Sequence, residues 1–189
     1  MTDSPITDPK ALRALSHPFR WKLINLLTDE GARTATQCSE KLDESVASCS
    51  YHLNMLAKYG FVEEVEGPGR QKPWRLVSAR QSISPDGLDP EAAMAAETAV
   101  LAYLDHEFSR MRERLVTRKL LSEDWRETVG TNSSTKFLTV EEAIAYKDEL
   151  DALMRKYNER TENASLRPEG SRPVRYFLGV TVAPDQESE

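Results

Sequence analysis

Long apolar runs are missing from this sequence. None approaches the roughly 20 residues that a membrane-crossing helix needs, so no membrane partner is expected. Cysteine is nearly missing too. Cys38 and Cys49 are the only two, too few for a disulfide framework, and a reducing cytoplasm is the expected setting. The opening MTDSPITDPK has no basic stretch followed by an apolar one, so no secretory leader is expected. Catalytic constellations are missing as well. There is no nucleophile beside a base, no phosphate loop and no carboxylate pair in a supporting context, which argues against an enzyme and implies no cofactor. Finally, the chain lacks excess positive charge. Its net charge is −6 and its pI about 5.3, which taken alone argues against nucleic acid.

The distribution of charge changes that reading. Residues 1–82 balance at +1 and residues 83–189 at −7, so the acidity belongs to the second half. Within the first half, residues 67–80 (GPGRQKPWRLVSAR) carry Arg70, Lys72, Arg75 and Arg80 and no acid. At 39% hydrophobic and 30% charged residues, a folded rather than a disordered chain is expected.

The first 77 residues read as four helices and a hairpin. Asp8 and Pro9 start the first helix as N-cap and first helical residue. Pro18 starts the second, whose core face is Leu23, Ile24 and Leu27, with Gly31 closing it. Thr34 and Gln37 form a capping box before the stripe Ala35, Cys38, Leu42. Ser45 caps the fourth helix, Cys49, Leu53 and Leu56 form its buried stripe, and Gly60 ends it. Phe61, Val62 and Val65 are strand-like, Gly67-Pro68-Gly69 is a turn, and Trp74, Leu76 and Val77 form a returning strand.

A linker, SARQSISPDGLDP, follows by composition. Beyond it Met94, Leu101, Leu104, Phe108, Met111 and Leu115 recur at coiled-coil-like spacing, broken once by Glu97. Thr139 and Glu142 make a second capping box for a helix with the stripe Ala143, Tyr146, Leu150, Leu153 and Tyr157. The stretch Val174, Tyr176, Leu178, Val180, Val182 alternates like a half-buried strand that would pair near Phe137. The expected fold is mainly α with a small β-wing. Residues 1–80 form a winged helix-turn-helix DNA-binding domain, 81–90 a linker, and 91–189 a helical dimerisation and effector region ending in a β-strand.

Two short helices joined by a tight turn and followed by a basic hairpin suit double-stranded DNA. The major groove accepts one α-helix. That helix must expose small, neutral hydrogen-bonding groups, and Ser48, Tyr51 and Asn54 qualify, with no Asp or Glu between Val46 and Lys58. Ser45 places the positive end of the helix dipole where a phosphate would lie. The hairpin would track the backbone or the minor groove. Phosphate contacts position and base contacts specify. The candidate DNA-facing set is Arg20, Thr34, Ser45, Val46, Ser48, Tyr51, His52, Asn54, Lys58, Arg70 and Lys72. The candidate dimer interface is Met94, Leu101, Leu104, Phe108, Met111 and Leu115.

The segment Leu15-Ser16-His17-Pro18-Phe19-Arg20, followed by Ser45, Ser50-Tyr51-His52-Leu53 and Leu56, resembles the ArsR-type winged helix-turn-helix regulators, over roughly residues 10–77. It is similar in particular to an actinobacterial class with an added helical C-terminal region. The resemblance implies a homodimer whose grip on DNA responds to a metal or another signal. Metal-sensing members carry Cys-x-Cys-Asp where this chain has Thr34, Ala35, Thr36 and Gln37, so no thiolate metal site is implied.

Each reading has a blander counterpart. Cys38 and Cys49 are either packed hydrophobes or a redox pair. His52 either contacts DNA or packs locally, and Arg20 either reaches the backbone or pairs with an acid. The seam from Met94 to Leu115 is either a dimer interface or a domain core. Trp125, Tyr146, Tyr157, Tyr176 and Phe177 form either ordinary core or the pocket of an unidentified small-molecule effector. A winged helix that docks proteins rather than DNA is the alternative function.

Overall fold

The computed structural model describes residues 6–69, 71–78 and 83–183. The chain divides into two compact units, 1–133 and 134–189. Among the described residues no helix is long and apolar enough to cross a membrane.

Local chemistry sets the element boundaries of the first unit. Helix α1 (Pro9–Leu15) starts where Asp8 accepts from the Lys10 amide at 3.0 Å. Helix α2 (Pro18–Glu30) is capped by His17, whose Nδ1 accepts from the Phe19 amide, and it stops at Gly31, which takes φ 77°. Helix α3 (Ala35–Leu42) carries the full Thr34/Gln37 capping box. Helix α4 (Val46–Lys58) begins where Ser45 Oγ accepts from the Ser48 amide at 3.0 Å. Between α3 and α4, Asp43 sits in the left-handed region at φ 51°, a conformation Asp tolerates better than most residues. The α3–α4 connection is therefore a tight helix-turn-helix.

Strands β1 (Val62–Glu64) and β2 (Trp74–Leu76) pair antiparallel in the register Val62↔Leu76, Glu63↔Arg75, Glu64↔Trp74. Backbone bonds from Val65 to Pro73 and from Val77 to Phe61 extend the hairpin at both ends. Arg33 adds a bridge to Trp74, so the segment before α3 forms a third, one-residue edge of the wing.

The core gathers Leu15, Leu23, Ile24, Leu27, Leu53, Leu56 and Val62 with Cys38 and Cys49, all buried. Burying each large side chain contributes about 1.5–3 kcal/mol. Helix α5 (Pro90–Thr117) belongs to this same unit. Its Ala92, Ala95, Ala96 and Ala99 are buried, and Ala95 and Ala96 pack with Leu12 of α1. Alanines let the two backbones approach closely. Further along, Trp21 and Tyr103 rings lie 4.8 Å apart, Asn25 meets His106, and Asp29 pairs with Arg110. The composition-based linker thus leads to a helix that packs back on α1 and α2. A 3₁₀ turn (Arg118–Leu120) and helix α6 (Glu123–Glu127) complete the unit.

In the second unit, helix α7 (Val140–Arg155) has the expected Thr139/Glu142 capping box. Helix α8 (Glu159–Glu162) and a 3₁₀ turn (Ala164–Leu166) follow. None of the described side chains of 134–183 is buried. The stripe of α7 is therefore amphipathic without being core, and Tyr146, Leu153 and Tyr157 are exposed. The expected strand at 174–182 is corrected: those residues carry no ladder, and Phe137, its expected neighbour, is 98% exposed. Alternation alone does not make a strand, because its backbone groups need a partner.

Candidate nucleic-acid interface

Helix α4 has two chemically different faces. Cys49, His52, Leu53 and Leu56 point inward and are buried. Ala47, Tyr51, Asn54 and Lys58 recur at spacings of four, three and four, and all are exposed. Tyr51 is 59% exposed and Val46 stands beside it at the N-terminal end. Ser48 is half-buried. Asn54 donates to the Ser50 carbonyl one turn back at 2.8 Å, which tethers its amide to the helix surface. Lys58 lies 5.6 Å from the Tyr59 ring centre. Ala47, four residues before Tyr51, completes this exposed face although it carries no hydrogen-bonding group, and helical spacing alone marks it.

Ser45 and Thr34 spend their hydroxyls on capping α4 and α3. Glu44 also reaches the start of α4, accepting from the Ser45 amide at 2.9 Å. A phosphate approaching this N-terminus meets one carboxylate as well as the helix dipole.

Two residues of the expected DNA-facing set are buried: Arg20 is 7% and His52 8% exposed, His52 on the inner face of α4 and Arg20 on α2 against it. Arg20 Nη1 donates to the Ala14 carbonyl at 2.6 Å and its Nε to His52 Nδ1 at 3.4 Å. Within the chain Arg20 therefore pairs with a carbonyl and an imidazole rather than with an acid. The rings of His17, Phe19 and Tyr51 lie 4.4, 5.1 and 5.1 Å from that of His52. Burial lowers the pKa of Arg20, and burial, then His17 and Arg20, lower that of His52.

Among the described residues of the wing, the two cations of the basic stretch are paired with acids. Lys72 pairs with Glu64 at 3.4 Å and Arg75 with Glu63 at 2.8 Å. These exposed pairs hold by at most about 1 kcal/mol, so a phosphate can take either cation from its glutamate. Arg70 and Arg80 lie outside the described residues, as does the DQESE tail.

The α5 seam points away from the alanine face. Met94 is 65% and Leu101 63% exposed, Phe108 and Leu115 are exposed, and Leu104 and Met111 are half-buried. The side of α5 that packs on α1 and α2 carries the alanines and, further along, Tyr103, His106 and Arg110, so the exposed residues of the seam are not core of this unit. Of the aromatic set, Tyr146, Tyr157 and Tyr176 are exposed and so are not core, while Trp125 and Phe177 are half-buried; Lys136 lies over the Tyr146 ring, and Lys156 and Arg160 lie over that of Tyr157. Cys38 is fully buried, and burial followed by the neighbouring Cys49 pushes its pKa to about 11.

Residues 15–65 match the model of a helix-turn-helix domain family. That span runs from the end of α1 through β1 and so contains α2, α3 and α4. A MarR family protein from Bacillus stearothermophilus aligns in structure over 82% of this chain and 77% of its own, at 16% identity and a TM-score of 0.27. A superposition at that score adds nothing to the fold assignment, which rests on the elements above. No curated protein matches the chain. Elements and family match together define a winged helix-turn-helix chain.

Proposed function

We propose that this chain is a sequence-specific, DNA-binding transcription regulator of the cytoplasm that acts as a homodimer. The observation that carries the proposal is the outer face of α4. It is exposed, contains Ala47, Tyr51 and Asn54, ends on a cation at Lys58, and holds no carboxylate. Such a face fits against base edges in the major groove. Lys58 and, after exchange of Glu64 for phosphate, Lys72 supply the backbone contacts. The two α4 helices of a dimer would enter successive major grooves about one helical turn apart, or a multiple of that. The exposed α5 seam is the surface offered for the dimer, and the residues Leu15–Arg20 and Ser45–Leu56 support kinship with ArsR-type regulators.

Fluorescence anisotropy with duplex from upstream of the gene, against unrelated duplex at several salt concentrations, tests this. The expected result is tighter binding to one duplex, weakened by salt and by Lys58→Ala. Absence of binding to any duplex at low salt would instead favour the protein-docking alternative, for which the neutralised wing pairs Lys72–Glu64 and Arg75–Glu63 speak.

A further inference from the structure

The DNA-facing side of α4 leaves one feature unused: a buried polar cluster on its opposite side. Arg20 connects three elements. Its Nη1 holds the Ala14 carbonyl near the end of α1, its backbone belongs to α2, and its Nε reaches His52 of α4. A guanidinium N–H can only donate. His52 Nδ1 is therefore the acceptor, and a neutral ring carries its proton on Nε2.

We propose that His52 is a positioning residue for the recognition helix: as a neutral acceptor it ties α4 to Arg20, and proton uptake breaks the tie and makes DNA binding acid-sensitive. The proposal deepens the DNA-binding reading and rests on it.

A proton added at Nδ1 sets one N–H against another and places a second cation beside the guanidinium. The other groups facing His52 do not rescue it. His17, from the turn between α1 and α2, stands 4.4 Å away ring to ring. Phe19 and Tyr51 offer ring edges and faces. Tyr59, at the end of α4, interacts with Arg20. Glu44 is the carboxylate that favours a charged His52, but it is exposed and already accepts from the Ser45 amide. Lys41 of α3 is engaged by Glu30, and Glu63 and Glu64 of β1 by Arg75 and Lys72. In the closed arrangement His52 is accordingly held below its ordinary value, by burial first.

The direction of the pH effect follows. An imidazole released to water titrates at about 6.5, and the tied one titrates lower. Opening the tie therefore takes up a proton, and the open state gains weight as pH falls below about 6.5. Above that pH the tie is closed. With one proton taken up per protomer, the grip of each α4 weakens by up to about tenfold per pH unit until the pKa of the closed state is reached, and a dimer on two half-sites compounds the two.

The test compares the full-length wild type with His52→Gln, His52→Leu and His17→Asn between pH 8 and pH 5.5. Two readouts are taken: DNA affinity by anisotropy, and hydrogen exchange of the α4 amides corrected for the intrinsic pH dependence. Gln keeps an acceptor for Arg20 that cannot titrate, Leu removes the acceptor, and Asn preserves the α2 cap without a titrating ring. The proposal expects an acid-dependent loss of affinity and of α4 protection in wild type and in His17→Asn. It expects flat profiles in His52→Gln and His52→Leu, with the Leu variant already less protected at pH 8. A wild-type profile flat in α4 protection overturns the proposal, as does an unchanged acid step in His52→Gln. If no duplex binds at any pH while α4 protection still falls with acid through His52, the tie stands and the DNA-binding reading fails.

Discussion

Arg33 and Trp74 exchange two backbone hydrogen bonds, 3.0 and 2.8 Å long, each amide donating to the other carbonyl. Through that bridge the segment leading into α3 becomes part of the wing. The helix-turn-helix and the hairpin are thus held in one orientation by main-chain bonds, which among single substitutions only proline removes directly. Arg33→Pro deletes one donor and leaves the Trp74 carbonyl unpaired. We expect it to cost about 1–3 kcal/mol in urea unfolding, whereas Arg33→Ala, which keeps the amide, costs less.

Glu64 restrains Lys72. Replacing it by Gln frees the cation for phosphate without adding a charge to the tip. Glu64→Gln is expected to tighten binding to every duplex alike, because Lys72 no longer has to leave a carboxylate to reach phosphate. Lys72→Ala in the same background should flatten the salt dependence by about 0.9 in the log–log slope, one phosphate contact's worth. Titrations at several salt concentrations measure both.

The exposed seam of α5 carries the dimer in the proposed function. Leu101→Glu places a charge on a side chain that the chain itself leaves 63% exposed. Its effect on the monomer's fold should stay within about 0.5 kcal/mol, while sedimentation should show the dimer lost. Ala96→Leu, on the buried face against Leu12, should do the opposite: it overpacks and destabilises the fold by about 1–3 kcal/mol.

Cys38 keeps its proton up to about pH 11 in the folded chain. The folded state therefore holds a proton that the unfolded chain releases near the ordinary thiol value. The stability this provides is full below that value and is lost as pH rises through it toward about 11. Thiol reactivity follows the same logic, since the thiolate is the nucleophile. At pH 8 neither Cys38 nor Cys49, both fully buried, should react with a maleimide on the time scale of free cysteine, and both should react in urea. Prompt native-state labelling would revive the redox reading.

Much of the fold was legible because its signals are local. Asp8-Pro9, Thr34 with Gln37, Ser45, Thr139 with Glu142 and Gly31 mark helix ends through bonds that span three or four residues. The stripe Cys49, Leu53, Leu56 follows from helical spacing. What escaped depends on tertiary neighbours. Arg20 and His52 look like DNA contacts in a basic-polar motif, and only the packing of α1, α2 and α4 turns them inward. The basic stretch 67–80 looks uncompensated because its acids, Glu63 and Glu64, sit on the opposite strand. The alanine face of α5 is faint in the sequence because small residues carry a weak apolar signal beside the large ones of the seam. The alternation at 174–182 has the right period for a strand and lacks the neighbouring backbone that makes one.

Whether the outer face of α4 reads base sequence is tested by selecting duplex from a random-sequence pool, in parallel with wild type, Tyr51→Ala and Asn54→Ala. We expect a preferred site with two related half-sites about one helical turn, or a multiple, apart, and a changed preference at matching positions of both half-sites in each variant. Recovery of the same sequence by all three proteins, or of no sequence by any, would contradict the assignment of the outer face of α4 as the surface that reads DNA.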